Sequence, residues 1–311
     1  MLEGLIDDLF QPNGAAFVTW VQLWDAEKPW KEIDLARRPA ASPLYYASLL
    51  GLFYRVKRLV DKGADVNAQE GKYGNALQAA SFGEHQEIVK LLIDKGADVN
   101  TKGGEYGNAL QAASSWGHQE IVKLLIEEGA DVNAQGGQYG NALYAASLRG
   151  YQEIVKLLIE NGADVNAQAG QYGNALYAAS LRGYQEIVKL LIDKGADVNT
   201  QAGQYGNILQ AASSWGHQGI VKLLIDGGAD VNTQGGKYGN TLQAASCRGY
   251  QEIVNLLIER RADVNAQGGK YGNALQAASY GGHQETVKLL IDKGADVNAQ
   301  EEEHEIGRAH V

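Results

Sequence analysis

The sequence has few of the features that mark secreted, membrane-bound or nucleic-acid-binding proteins. Its single cysteine, Cys247, cannot form an internal disulfide, which favours a reducing, intracellular environment. We expect the cytoplasm and leave the nucleus open. No apolar run approaches the roughly 20 residues that cross a bilayer, and the acidic start MLEGLIDDLFQPNG lacks the basic region of a signal peptide. The net charge of −10 disfavours nucleic acid and anionic membranes, because both are bound by clustered Lys and Arg.

Proline is also scarce, and glycine is regularly placed. All four prolines lie before residue 44, whereas the 39 glycines recur at fixed intervals through the rest of the chain. Hydrophobic residues make up 45% of the 311 residues and charged residues 21%, a composition typical of a folded protein. Regular glycines in a folded chain indicate turns that repeat.

The triplet Tyr-Gly-Asn recurs at a constant interval of 33 residues. Residues 138–159 and 171–192 are identical, both reading QYGNALYAASLRGYQEIVKLLI, and a weaker copy begins at Ser42. A fixed period of this length predicts a stacked array of structural repeats. The seven triplets begin at Tyr73, Tyr106, Tyr139, Tyr172, Tyr205, Tyr238 and Tyr271.

Each unit is predicted to form a helix, a turn, a second helix and a loop. In one unit, Asn108 is the expected N-cap of a short first helix and Gly117 its end. The second helix should begin at about Gln119, with a wide apolar face, and close at Gly129 in the left-handed conformation. One such helix pair has too little apolar area to offset the entropy of ordering it, so the units must stack.

Three positions depart from the repeat and should weaken it locally. Arg261 replaces the left-handed glycine that ends a second helix, and Gly219 stands at or near the start of another second helix. Glu84 occupies the place of a turn glycine, with Gly83 beside it as a possible substitute.

The repeated segments GHQEIVKLLI and GADVNAQ, together with N-A-L-Q-A-A-S, resemble ankyrin repeats. Leu110, Gln111 and Ala113 stand at the Leu, His and first Ala places of that family's T-P-L-H-x-A-A segment. The resemblance implies an all-α ankyrin-repeat solenoid of about eight repeats over residues 41–300. It also implies a protein-binding module, whose partner lies against the hairpin tips and the concave first-helix surface.

A narrower resemblance concerns the setting of the array. The GGQYGNALQAAS-type units, the stretch 17–25 and the stretch 42–51 resemble the ankyrin regions of NACHT-domain receptor-like proteins of filamentous fungi. The chain contains no G-x-x-x-x-G-K-[ST] motif, so a NACHT module would lie upstream of Met1. The alternative is a free-standing scaffold or adaptor, or an effector acting inside a host cell.

The units differ most just after the first helix, and these differences identify a candidate partner-binding surface. Trp, Tyr and Arg, which are enriched at binding hot spots, recur there; the alternative is plain helix-end packing. The candidates are Phe82, Ser115, Trp116, His118, Leu148, Arg149, Tyr151, Leu181, Arg182, Tyr184, Ser214, Trp215, His217, Arg248, Tyr250 and Tyr280. The hairpin tips are further candidates, with solvated loops as the alternative: Lys72, Glu105, Gln138, Gln171, Gln204, Lys237 and Lys270.

Other residue patterns predict no chemistry. The invariant tyrosines of Tyr-Gly-Asn suit packing better than selectivity. Histidines such as His85 and His118 recur one repeat apart, at about 8–10 Å between stacked helices, which is too far to share a zinc ion. Cys247 has no His and Asn partners for catalysis, and carboxylates such as Glu127 and Glu128 suit a solvated helix end. We therefore expect no enzyme activity, metal, cofactor or small-molecule substrate.

The two ends of the chain differ from the array. Residues 1–40 hold three of the five tryptophans and two apolar helical patterns, and they are predicted to form an N-terminal helical cap or linker. Residues 301–311 form an acidic tail. Its last seven residues, EIGRAHV, can be encoded by a stretch resembling a sequencing adapter. We interpret them as an artefact and expect the natural protein to continue.

Overall fold

The computed structural model describes residues 41–169, 173–201 and 205–299, which form sixteen helices in eight consecutive pairs. The predicted N-terminal cap and the acidic tail lie outside the described residues. The chain divides into two compact units, unit 1 ending at Asp164 and unit 2 beginning at Val165.

Unit 1 contains four helix pairs, each with a short first helix and a longer second helix. Its helices are α1 Pro43–Leu49, α2 Phe53–Asp61, α3 Ala76–Phe82, α4 Gln86–Asp94, α5 Ala109–Trp116, α6 Gln119–Glu127, α7 Ala142–Arg149 and α8 Gln152–Glu160. First helices pack against first helices of neighbouring repeats, as α3 does against α5. Small side chains such as Ala112 and Ala113, both fully buried, allow this close approach.

Unit 2 repeats the same arrangement. Its helices are α9 Ala175–Arg182, α10 Gln185–Asp193, α11 Ile208–Ser214, α12 Gln218–Asp226, α13 Thr241–Arg248, α14 Gln251–Glu259, α15 Ala274–Tyr280 and α16 Gln284–Asp292. Loops between repeats contain isolated antiparallel bridges, such as Gly235 with Gly239, and the described residues contain no longer strand. The predicted all-α class is confirmed.

The helix ends follow the predicted capping residues. The Asn108 side chain accepts a hydrogen bond from the backbone N–H of Gln111, and Gly117 closes α5 in the left-handed conformation with φ 85°. The second helix begins at Gln119, and Gly129 beyond it has φ 85°. Both glycines adopt a conformation that disfavours residues with a Cβ atom.

Asparagine side chains of the GADVN segments join each repeat to the next. The Asn100 Nδ2 atom donates to the Gly129 carbonyl at 3.0 Å, and its Oδ1 atom accepts from the Asp131 N–H at 2.7 Å. Asn67 makes the same two bonds to Gly96 and Asp98. One side chain therefore fixes both the end of the next second helix and the turn after it.

A second link between repeats begins in the first helix and exists in two forms. In the glutamine form, Gln111 Nε2 lies 2.9–3.2 Å from three loop carbonyls of the next repeat. In the tyrosine form, the Tyr45 hydroxyl accepts the backbone N–H of Tyr73 at 3.1 Å. Tyr177 likewise bonds the backbone of Tyr205, and burial raises the pKa of Tyr177 to about 12.

The form of the link covaries with the following loop. Four of the five glutamine repeats are followed by a glycine with φ of 141–151°, which is left-handed backbone that favours glycine; these glycines are Gly103, Gly136, Gly235 and Gly268. The fifth glutamine, Gln276, is followed in the sequence by Glu301. Tyrosine repeats have another residue there in the sequence, namely Glu70, Ala169 and Ala202. The described members of this second group, Glu70 and Ala169, have no positive φ. Helix residue and loop residue therefore form a matched pair.

The three irregular positions lie where the repeat predicts. Arg261 takes the left-handed place with φ 68°, and Gly219 is the second residue of α12. Glu84 itself is left-handed with φ 63°, whereas Gly83 has φ −82°, so Gly83 does not substitute for the missing turn glycine.

Replacing Arg261 by glycine should stabilise the protein. A side chain in this conformation costs about 1–2 kcal/mol, so Arg261→Gly should raise the melting temperature measured by circular dichroism. The reciprocal control is Gly228→Arg: Gly228 has φ 93° and no atom within 4 Å of an added Cβ, so only the backbone is strained. An unchanged melting temperature for both variants would contradict the assigned strain.

The matched pair predicts a double-mutant result. Gln111→Tyr removes three hydrogen bonds and should destabilise the protein by about 1–3 kcal/mol, and Gly136→Ala forces a Cβ atom into left-handed backbone. Together they recreate the tyrosine form, so the double variant should lose less stability in urea unfolding than the sum of the singles. Simple additivity would show that the two residues are not matched.

Candidate functional site

The variable residues at the ends of the first helices include three of the large hydrophobic side chains that the structure leaves exposed to solvent. Trp116 is 43% exposed, Trp215 is 51% exposed and Tyr280 is 71% exposed. Arginines occupy the Trp116 place in other repeats and are also exposed; they are Arg149, Arg182 and Arg248. Exposed aromatic and arginine side chains therefore follow one another at this position.

In unit 1, the invariant tyrosines hold these exposed residues in place. Trp116 Nε1 donates to the Tyr106 hydroxyl at 2.9 Å. Arg149 donates to the Tyr139 hydroxyl at 2.8 Å, and its guanidinium carbon lies 5.9 Å from the Trp116 ring centroid and 5.8 Å from that of Tyr139. These distances are typical of cation–π contacts. The arginine therefore bridges two repeats.

The tyrosines stack into a ladder beneath these residues. Ring centroids are 5.8 Å apart for Tyr73 and Tyr106, and 6.0 Å apart for Tyr106 and Tyr139. Phe82 stacks on Tyr73 at 4.2 Å and meets Trp116 edge-on at 5.1 Å. Phe82, Tyr106, Trp116, Tyr139 and Arg149 thus form one connected patch, the aromatic patch of unit 1. The tyrosines, which were predicted to pack, therefore hydrogen-bond the variable residues that were predicted to bind a partner.

Unit 2 has a ladder of the same kind. The Tyr205 and Tyr238 rings are 6.2 Å apart, and those of Tyr238 and Tyr271 are 6.3 Å apart. Arg248 donates to the Tyr238 hydroxyl at 3.3 Å, and Tyr280 lies 4.9 Å from Tyr271. Tyrosine again supports the neighbouring variable side chain.

The electrostatics of the patch keep its groups in one protonation state. Burial raises the pKa of Tyr106, although the hydrogen bond from Trp116 opposes that effect. The hydrogen bond to Tyr139 raises the pKa of Arg149 above its usual value. At neutral pH, Tyr106 therefore stays neutral and Arg149 stays charged.

Several sequence candidates do not reach the exposed surface. Ser115 and Ser214 are buried, and each hydroxyl donates to a carbonyl of its own first helix, at 2.9 Å. The ring nitrogens Nε2 of His118 and His217 lie 3.0 Å and 3.2 Å from carbonyls of the preceding repeat. The serines therefore bond within their own helix, whereas the histidines contact the preceding repeat.

The remaining candidates of this group are half-buried. A Cβ atom added to Gly117 would lie 2.6 Å from the Tyr151 ring, and one added to Gly216 would lie 2.8 Å from the Tyr250 ring. These two tyrosines therefore cover a turn of the preceding repeat, as the histidines do elsewhere. Leu148, Leu181 and Tyr184 also have intermediate exposure.

The hairpin tips contact one another along the array. In unit 1, the ammonium of Lys72 lies 2.9 Å from a carboxylate oxygen of Glu105, whose bond raises the pKa of Lys72. The Gln138 N–H donates to the Glu105 carbonyl at 2.8 Å. In unit 2, the Lys270 N–H donates to the Lys237 carbonyl at 3.3 Å. Gln171 and Gln204 lie outside the described residues.

No group of three or more His, Cys, Asp or Glu in residues 41–169, 173–201 and 205–299 is placed to hold a metal ion. None of the helices in these ranges is long and apolar enough to span a membrane. Cys247 is half-buried, and its backbone carbonyl oxygen lies 3.0 Å from the Nε2 atom of His283.

The bond between Trp116 and Tyr106 can be tested by a double-mutant cycle. Tyr106→Phe removes one hydroxyl and should cost about 0.5–1.5 kcal/mol of unfolding free energy in urea. Trp116→Phe removes the donor, so adding it to Tyr106→Phe should cost less than its effect in the wild-type background. Additive losses would contradict a specific bond between the two side chains.

Comparisons with known proteins agree with this architecture. A family model described as ankyrin repeats (3 copies) matches residues 44–136, 78–169, 135–202, 176–268 and 208–301, which together cover more than half of the chain. The crystal structure of the human ASB11 ankyrin repeat domain is similar, with a TM-score of 0.63 and 25% identity over 72% of this chain and 99% of its own.

A curated relative from Monascus ruber, azaphilone pigments biosynthesis cluster protein L, is 44% identical over 28% of this chain. The aligned part is 21% of that protein, so the match spans about a fifth of the relative's length. The helix pairs, the links between repeats and the family match lead to one conclusion: the chain belongs to the ankyrin-repeat family.

Proposed function

We propose that the chain is an intracellular protein-interaction module that binds a partner protein through the first-helix ends and hairpin tips. Ankyrin repeats are generally protein–protein interaction modules. In unit 1 the proposed contact surface is the aromatic patch, with Trp116 and Arg149 as its principal residues. The module acts by binding, and the proposal includes no catalytic step, cofactor or small-molecule substrate.

The observation that carries this proposal is the state of Trp116. Its side chain is 43% exposed, yet its indole N–H is bonded to Tyr106 and its ring is approached by Phe82 and Arg149. A side chain that is already ordered loses little conformational entropy when a partner covers it. Exposed, preorganised Trp and Arg are typical of binding hot spots.

Variation between repeats argues against packing as the main role of this position. The place of Trp116 is occupied by Gly83 in one repeat, Arg149 in another and Gly281 in a third. The helix pair forms in each case. A position that tolerates Gly, Trp and Arg is not constrained by the fold, so its identity is available for recognition.

For the larger protein, we propose a NACHT-type receptor-like protein in which this array is the recognition part. The support is the resemblance of stretches 17–25 and 42–51, and of the GGQYGN units, to the ankyrin regions of such proteins. A coding sequence upstream with a G-x-x-x-x-G-K-[ST] motif would support this assignment. A gene that starts at Met1 would favour the free-standing scaffold, adaptor or host-directed effector.

The binding proposal is tested by the double variant Trp116→Ala and Arg149→Ala. Both side chains are exposed, so the variant should remain folded. Its affinity for a partner captured from a lysate of the source organism should fall at least about tenfold. The reason is that removing one hot-spot residue costs about 2 kcal/mol or more of binding free energy. Binding is measured by biolayer interferometry on the captured protein.

The matched control is Lys123→Ala with Glu127→Ala. These residues lie on the second helix of the same repeat, form an exposed pair at 4.0 Å and are 59% exposed each. The control should bind like the wild type. Equal binding by both variants, or equal losses, would remove the aromatic patch as the contact surface.

A further inference from the structure

Charge is distributed unevenly over unit 2. Its first-helix and hairpin segments, residues 173–183, 205–216, 234–249 and 267–282, contain four cations, Arg182, Lys237, Arg248 and Lys270, and no Asp or Glu in the sequence. All four cations are exposed. We call this surface the cationic face of unit 2. The acidic residues of the described part of unit 2 lie in second helices or GADVN turns instead.

The cationic face combines these charges with tyrosine rings, of which Tyr280 is exposed, Tyr271 is half-buried and Tyr238 is buried. The Lys237 ammonium lies 5.6 Å from the Tyr238 centroid, and that of Lys270 lies 5.2 Å from Tyr271 and 5.8 Å from Tyr280. The guanidinium of Arg248 is held by the Tyr238 hydroxyl. Three cations therefore surround the tyrosine ladder and are oriented by it.

The corresponding segments of unit 1 have no net charge. Lys72, Lys102 and Arg149 are offset by Glu70, Glu84 and Glu105. Lys72 and Glu105 form a direct ion pair at 2.9 Å. The positive potential is therefore a property of unit 2 and not of the repeat sequence in general.

We propose that the cationic face of unit 2 binds an acidic, extended segment of a partner protein. This inference rests on the proposed protein-binding function and adds the chemistry of the ligand. Opposite charge gives the complementarity, since the face offers only cations. The ladder advances 6.2–6.3 Å per repeat, close to the roughly 6.8 Å between alternate side chains of an extended chain. Alternate carboxylates of such a segment can therefore meet Lys237 and Lys270, which occupy equivalent places on two successive repeats.

An acidic polypeptide fits this surface better than a nucleic acid. The whole chain carries a net charge of −10, and the second helices next to the face are acidic. A polyanion with one charge per phosphate is repelled by these groups over the Debye length of about 8–10 Å. A segment with a carboxylate at every second residue carries about one charge per 6.8 Å, which is fewer than a nucleic-acid duplex carries.

The test uses two fluorescein-labelled peptides of about ten residues, which span about 33 Å when extended. One alternates Glu with Ala, and the other alternates Gln with Ala. In fluorescence polarisation, the Glu peptide should bind at least about tenfold more tightly than the Gln peptide. This difference in affinity should fall as salt is added. Equal affinity of the two peptides would overturn the proposal.

Two protein variants locate the binding. The variant with Arg182, Lys237, Arg248 and Lys270 all changed to Gln should bind the Glu peptide no better than the Gln peptide. The control changes Lys189, Lys194, Lys222 and Lys293 to Gln, which alters the net charge equally but on the second helices and the turns after them. It should retain most of the preference. Equal losses would show a general charge effect and overturn the assignment to this face.

Two further arms separate the remaining outcomes. Arg248→Gln also removes the hydrogen bond to the Tyr238 hydroxyl. The smaller variant Lys237→Gln with Lys270→Gln changes only hairpin tips, keeps that bond and should show an intermediate loss of binding. A thymidine oligonucleotide that binds the same face more tightly than the Glu peptide would overturn the polypeptide assignment. If a captured partner needs Trp116 and Arg149 while the Glu peptide does not bind, only the charge inference fails. If the Glu peptide binds while the captured partner does not need Trp116 and Arg149, only the aromatic patch proposal is contradicted.

Discussion

Side-chain hydrogen bonds from one repeat to the backbone of the next are the constraint on which the structure depends. Asn100 satisfies the Gly129 carbonyl and the Asp131 N–H together, and Gln111 reaches three loop carbonyls of the following repeat. Backbone groups in loops cannot be satisfied by a helix or sheet. At the buried and half-buried carbonyls that Gln111 reaches, an unpaired group costs about 1–3 kcal/mol. Each repeat therefore completes the hydrogen bonding of its successor, which explains why these residues recur.

This constraint divides the positions of each repeat into two groups. Asn, Gln, Tyr and the small residues of the first helix are committed to the neighbouring repeat. The residue at the end of the first helix instead varies between repeats, from Gly83 to Trp116 to Arg149. The two groups meet at the tyrosine ladder, where hydroxyls of Tyr106 and Tyr139 orient the variable side chains. The fold thus presents variable residues in fixed positions.

Much of the fold follows from local sequence signals. Asn108, Gly117 and Gly129 could be assigned because caps depend on the backbone conformation of the residue itself, and Arg261 could be recognised by its register alone. The contacts between repeats could not be predicted in this way. His118 bonds a carbonyl 36 residues earlier, and the burial of Ser115 depends on the neighbouring first helices. Sequence spacing gives the period but not the rotation of a side chain at a helix end.

The covariation of Tyr or Gln with the next loop was visible in the sequence but had no meaning without coordinates. Gly136 has φ 151°, whereas Glu70 follows Tyr45 without a positive φ. This difference in backbone conformation accounts for the glycine that follows four of the five glutamine repeats and none of the tyrosine repeats. The charge difference between the two units can likewise be read from the sequence, but the helix pairs are needed to place the cations on first helices and hairpins and the carboxylates on second helices and turns.

Hydrogen exchange at two backbone amides tests the central claim most directly. The Asp131 N–H is held by Asn100, and the Asp98 N–H is held by Asn67 in the same way. In the variant Asn100→Ala, measured by NMR under native conditions, exchange at Asp131 should accelerate while exchange at Asp98 stays unchanged. Unchanged exchange at both amides would mean that the asparagine side chains do not hold the repeats together.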